Sequence, residues 1–123
     1  MAHPSETREN PWRPSSPALD PESFEYAIEG PLVIVHFWAP WNPYDKPLDA
    51  NLQQLQTAYG KKFVFFSVNT DETAFTPIVE RHNVAALPTL LCFSNGKVKG
   101  RFHGLQTLEE LQAFLEEMAQ QRR

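Results

Sequence analysis

Nucleophiles and titratable groups are few in this chain, and most lack the neighbours that would activate them. Cys92 is the single cysteine. It stands between Leu91 and Phe93 with no adjacent cation to lower its pKa, so it reads as a small buried hydrophobe and not as a reactive thiolate. One thiol cannot close an internal disulfide, which fits a reducing compartment. The serines and threonines form no nucleophile elbow, and no glycine-rich loop is present to cradle a phosphate. Hydrolase and nucleotide chemistry therefore have no support. His36, Asp45 and His103 are suitable metal ligands by type, but no close spacing pattern joins them, so neither a metal nor another cofactor is expected.

The most informative stretch is Phe37-Trp38-Ala39-Pro40-Trp41-Asn42-Pro43-Tyr44-Asp45-Lys46, which joins an apolar run to an amphipathic one. Asn42-Pro43 suits a helix start: an Asn side chain accepts a bond from a free backbone N–H, and Pro at the next position gives up no intrahelical bond. Asp45 in the first turn gains about 0.3–1 kcal/mol from the helix dipole when exposed. Pro47 complicates that start. Either the first turn is irregular, or Asp45 is itself the cap and the regular helix begins at Lys46.

The elements that would position this stretch follow from periodicity. Residues 32–37 are a continuous apolar run rich in β-branched side chains, which suits a central strand covered on both faces. Leu48, Leu52, Leu55 and Ala58 recur at intervals of three and four, marking one buried helical face that ends at Gly60. Residues 63–68 form a second buried strand, and two such strands joined through a helix make a parallel crossover. A short helix is expected over residues 76–82, with Pro77 tolerated in its first turn. Asn95-Gly96 between two apolar runs predicts a hairpin. Thr107 and Glu110 form a capping box ahead of the apolar face Leu108, Leu111, Phe114, Leu115 and Met118. Upstream, Asp20-Pro21 reads as a cap for a short first helix with Phe24 and Ile28 one turn apart.

The 123 residues fit one domain. Residues 1–19, rich in Pro, Ser and charge, read as a flexible arm with at most a short strand near Ala18-Leu19, leaving residues 20–123 as the folded unit. Trp12 is the one large aromatic in that arm, available for packing or recognition. The net charge of −4 offers no basic field for nucleic acid or an anionic membrane. No apolar run approaches the roughly 20 residues of a membrane span, and the first residues lack the apolar core of a signal peptide. A cytoplasmic protein is expected.

Taken together, the order strand-helix-strand-helix-hairpin-helix resembles that of thioredoxin. The resemblance runs from about Asp20 to the last helix and rests on three motifs: Phe37-Trp38-Ala39-Pro40-Trp41 ending a buried strand, Leu87-Pro88-Thr89 opening the hairpin, and Phe102-His103-Gly104 closing it. It implies an α/β thioredoxin fold, a central mixed sheet of four to five strands flanked by about four helices. It also implies that Asn42-Pro43-Tyr44-Asp45 stands where the family carries Cys-Gly-Pro-Cys. Disulfide exchange passes through a mixed disulfide that a second thiol resolves, and neither Asn nor Asp forms such an adduct. Two inner positions depart as well: the family's buried acid is here His36, and its companion strand lysine is Ser67.

The resemblance further places Asp45 above His36, suggesting a buried pair, against the commoner arrangement of a buried His bonded to a backbone carbonyl. It makes Pro88 a cis-proline facing the old redox site, and it maps the family's peptide groove onto Trp41, Pro43, Tyr44, Leu87, Pro88 and Leu105. A protein or extended peptide partner is therefore expected, adding as a strand beside Leu87. The competing expectations are an atypical oxidoreductase using Cys92 or the His36/Asp45 region, and a structural subunit attached through the arm.

Overall fold

Val33–Trp38 forms the central strand β1, and all six of its residues are buried. The computed structural model describes residues 12–121. Within them the chain forms α1 (Phe24–Ala27), β1, α2 (Asp45–Tyr59), β2 (Val64–Asn69), a 3-10 turn (Thr73–Phe75) leading into α3 (Thr76–Arg81), β3 (Thr89–Ser94), β4 (Lys97–His103) and α4 (Leu108–Gln121). The sheet order is β2-β1-β3-β4. β1 runs parallel to β2, with His36 opposite Ser67, and antiparallel to β3, with His36 opposite Leu90. The β3–β4 hairpin turns at Asn95 and Gly96, whose φ values of 53° and 84° suit the tight turn that Asn-Gly favours.

Side-chain alternation along β1 divides the interior into two layers. Leu32 and Ile34 pack with Leu48, Leu52 and Leu55 of α2 and with Leu111, Phe114, Leu115 and Met118 of α4. Val33, Val35 and Phe37 pack on the other face with Phe24, Ile28, Phe75 and Ile78. Each such burial contributes about 1.5–3 kcal/mol. His36 shares the parity of Ile34, so its imidazole enters the layer beneath α2. Gly100 permits α4 to seat on β4, because a Cβ there would lie 2.7 Å from Met118 Sδ.

Several expectations are corrected. The first helix is only Phe24–Ala27, since residues 20–23 form a turn in which the Ser23 N–H and hydroxyl bond the Asp20 carbonyl, a local alternative to helix. Ala58 is exposed, and Tyr59 continues the buried stripe by packing against the α2–α4 core. β2 is an edge strand, which leaves Val64 50% exposed where the sequence suggested burial. The 76–82 helix ends at Arg81.

Residues 1–11 of the expected arm lie outside the described residues. The rest of the arm, 12–19, lies against the domain. Ala18 bridges Ser67 in parallel, the Ser67 N–H donates to the Pro17 carbonyl at 2.8 Å, and the Leu19 N–H donates to the Ser67 carbonyl at 2.9 Å. Leu19 joins the core, and Trp12 meets Trp38 edge-on at 5.4 Å.

Candidate functional site

β1 delivers the chain into a short loop that folds on itself before α2. The Asn42 N–H donates to the Ala39 carbonyl at 3.1 Å, and Asn42 Oδ1 accepts the Tyr44 N–H at 2.8 Å. Asn42 thus makes a local turn instead of capping the helix, whose N-cap is Tyr44, with no side-chain cap bond. Asp45 is the first helical residue, not the cap. Pro47 falls third in the helix, where a missing N–H has no intrahelical partner to lose.

Asp45 does not face solvent at the helix N-terminus; it turns inward and is fully buried. Its Oδ1 lies 2.9 Å from His36 Nε2, and its Oδ2 accepts the Ala39 N–H at 3.2 Å. His36 is equally buried and takes Asp45, not a backbone carbonyl, as its partner; its Nδ1 has no partner among the described residues. Beside it in the sheet, the Ser67 hydroxyl donates to the Ser16 carbonyl at 3.0 Å. One helical turn beyond Asp45, the buried Asp49 accepts the Ser15 N–H and hydroxyl at 2.9 and 3.1 Å. The arm therefore supplies partners to the polar stripe beneath α2. Nothing in the Ser15-Ser16 dipeptide announces this; the one available signal is that Asp45 and Asp49 share the helical stripe of Leu48 and Leu52.

Three loops are tied into one surface above this stripe. Asn42 Nδ2 donates to the Leu87 carbonyl at 3.2 Å, and the Gly104 N–H donates to the Pro88 carbonyl at 2.8 Å. The Leu87–Pro88 peptide bond is cis. Trp41, Tyr44 and Leu105 are 65%, 54% and 47% exposed, Pro43 is exposed and Leu87 is half-buried. Pro88 is buried and so supports this surface from below. The Trp41 indole N–H donates to Asp71 Oδ1 at 2.9 Å, which fixes the ring's outer edge. Under the same rim Thr89 donates to the Ala86 carbonyl and lies 3.0 Å from His103 Nδ1. Because the Thr89 hydroxyl has one proton to give, that contact assigns the Nδ1 proton to His103. Asp71 and Thr89 were not legible as site residues, having no local pattern.

The remaining candidates lie apart. Cys92 is fully buried on β3, and burial pushes its thiol pKa up to about 11, with Lys99 opposing. His103 does not join His36 and Asp45, and among the described residues no group of three or more His, Cys, Asp or Glu is placed to hold a metal ion.

A mixed sheet between two helical layers, with a cis-proline loop bonded to the loop that opens the second helix, defines the thioredoxin fold. The thioredoxin family model matches residues 16–117, and the chain belongs to that family while lacking its Cys-x-x-Cys pair. It is 29% identical over 103 residues to the thioredoxin of Alicyclobacillus acidocaldarius subsp. acidocaldarius, covering 83% of this chain and 96% of that one. It is 32% identical over 84 residues to chloroplastic thioredoxin M4 of Arabidopsis thaliana, covering 68% of this chain and 42% of the relative. The chain spans about two fifths of the length of the chloroplastic relatives it matches. The crystal structure of Malassezia sympodialis thioredoxin superposes with a TM-score of 0.76 at 25% identity, over 87% of this chain and 93% of that one.

Proposed function

We propose that this protein is a redox-inactive member of the family that binds a protein or extended peptide segment through the surface of Trp41, Pro43, Tyr44, Leu87 and Leu105, as an adaptor, assembly factor or chaperone-like module. The observation that carries the reading is the pairing of three large exposed apolar side chains, Trp41, Tyr44 and Leu105, with thiol positions held by Asn42 and Asp45. Neither side chain can enter a mixed disulfide. Clustered exposed aromatics mark contact surfaces. Support for strand-like addition comes from Leu87, whose N–H takes no partner among the described residues. Cys92 is a poor substitute nucleophile, being buried with its pKa raised to about 11. The net charge of −4 disfavours nucleic acid and anionic lipid as partners, and among the described residues no helix is long and apolar enough to cross a membrane. The cytoplasm is the compartment we assign, in keeping with a free buried thiol.

The test is affinity capture from a cell lysate by the immobilised chain and by Trp41→Ala and Tyr44→Ala, each first shown by circular dichroism to be folded. A partner held by the parent and lost from both variants supports the reading. Undiminished capture of the same partner by both variants overturns it.

A further inference from the structure

We propose that the bound segment presents a proline to Leu87 and that Asn42 is the residue that selects it. This deepens the binding reading above and rests on it. The orientation of the Asn42 amide is settled by two contacts. Oδ1 accepts the Tyr44 N–H at 2.8 Å, a bond only the oxygen can make, so the atom facing the Leu87 carbonyl at 3.2 Å is Nδ2. The Leu87 carbonyl is therefore already bonded within the chain, whereas the Leu87 N–H is open among the described residues.

A segment added beside Leu87 as a strand exchanges two bonds with it: its carbonyl receives the Leu87 N–H, and its own N–H seeks the Leu87 carbonyl. With Asn42 on one lone pair of that oxygen, the N–H of an ordinary residue must share an acceptor already in use and is desolvated for a poorer bond than a free carbonyl gives. Losing one good hydrogen bond in this way weakens binding by about tenfold. Proline has no N–H to strand and keeps its carbonyl for Leu87. Exposed aromatic rings lie on either side of Asn42 in the chain, at Trp41, held by Asp71, and at Tyr44, and suit packing against a proline ring. Asp71 adds a charge preference. Its Oδ1 takes the indole N–H while Oδ2 accepts no bond among the described residues, so a Lys or Arg in the segment near Trp41 is complementary to it. The occupant is thus an extended segment with proline at Leu87 and a cation directed at Asp71.

The experiment pans a random peptide phage library on the full chain, then titrates selected peptides by fluorescence against the parent, Trp41→Ala, Asn42→Asp and Asn42→Ala. Asn42→Asp keeps an oxygen for the Tyr44 N–H and removes the donor to Leu87; Asn42→Ala is the second variant should that one misfold. The expected result is proline-containing peptides that need Trp41. Replacing the selected proline by alanine weakens binding to the parent about tenfold, replacing it by N-methylalanine restores most of the loss, and both differences shrink below about threefold in the Asn42 variants. Asp71→Asn, which retains an oxygen for the indole, removes any enrichment of Lys or Arg. Peptides that need Trp41 but show no proline preference, or N-methylalanine behaving as alanine does, overturn the selection by Asn42 and leave the binding surface standing. Peptides indifferent to Trp41→Ala, or no binders at all, overturn both.

Discussion

Removing the Asp45 carboxylate strands two buried donors at once, the His36 ring nitrogen at 2.9 Å and the Ala39 N–H at 3.2 Å. Both residues are fully buried, so water does not replace the lost partner. Leaving a buried donor unsatisfied costs about 1–3 kcal/mol, so two together cost a large part of the roughly 5–15 kcal/mol that holds a domain folded. With a urea slope of about 1.5 kcal/mol/M for a chain of this size, Asp45→Ala lowers the unfolding midpoint by roughly 1–4 M. Urea denaturation followed by circular dichroism at neutral pH reads this directly. The double variant His36→Leu/Asp45→Leu removes both polar groups and leaves only the Ala39 N–H unpaired, a cost of about 1–3 kcal/mol, so it is more stable than Asp45→Ala. A loss below about 1 kcal/mol in Asp45→Ala, or a double variant less stable than the single, refutes the assignment of this pair as a coupled buried unit.

Two further outcomes follow from titratable groups whose pKa values are shifted by burial. Cys92, raised to about 11 by burial, does not react with a bulky thiol reagent in the native state at neutral pH and reacts fully after unfolding in urea; native labelling at the unfolded rate contradicts its burial. A thiol pKa higher in the folded state gives stability that is complete below the unfolded value and is lost as pH rises toward about 11, and Cys92→Ala abolishes that alkaline slope. His82, lodged against Phe24 and Phe93, has its pKa lowered, first by burial and then by the charge of Arg81, with Glu25 opposing. Its folded value lies below the unfolded one, so its contribution is present above the ordinary histidine range and is lost as pH falls through the folded value. His82→Phe flattens the acid limb of the stability curve, and an unchanged limb counts against this.

Much of this architecture is legible because it depends on local chemistry. The Thr107–Glu110 box is reciprocal as read, with the Thr107 N–H donating to Glu110 and the Glu110 N–H to the Thr107 hydroxyl. Asn95-Gly96 turns the hairpin, and the apolar run 32–37 becomes an interior strand, one residue displaced. What escapes the sequence is set by distant partners. Val64 has the composition of an interior residue, yet its strand lies at the sheet edge, a fact decided by strand order. Asn42 has the chemistry of a helix cap, but its amide is recruited across 45 residues by the Leu87 carbonyl. Ser15 and Ser16 look like solvated arm residues until α2 and β2 supply Asp49 and Ser67. The His36–Asp45 contact is visible beforehand only through the resemblance, since nine residues across a strand end and loop imply no contact by spacing alone.

Whether the thioredoxin surface around Trp41 grips a segment without exchanging electrons is read by chemical-shift mapping. A captured partner segment is titrated into the isotopically labelled chain under reducing conditions. Shifts are expected at the Trp41 indole N–H and at the backbone N–H groups of Tyr44, Leu87 and Leu105, with no covalent adduct by mass spectrometry. Shifts confined to the opposite edge around Tyr26 and Val64, or an adduct on Cys92, contradict it.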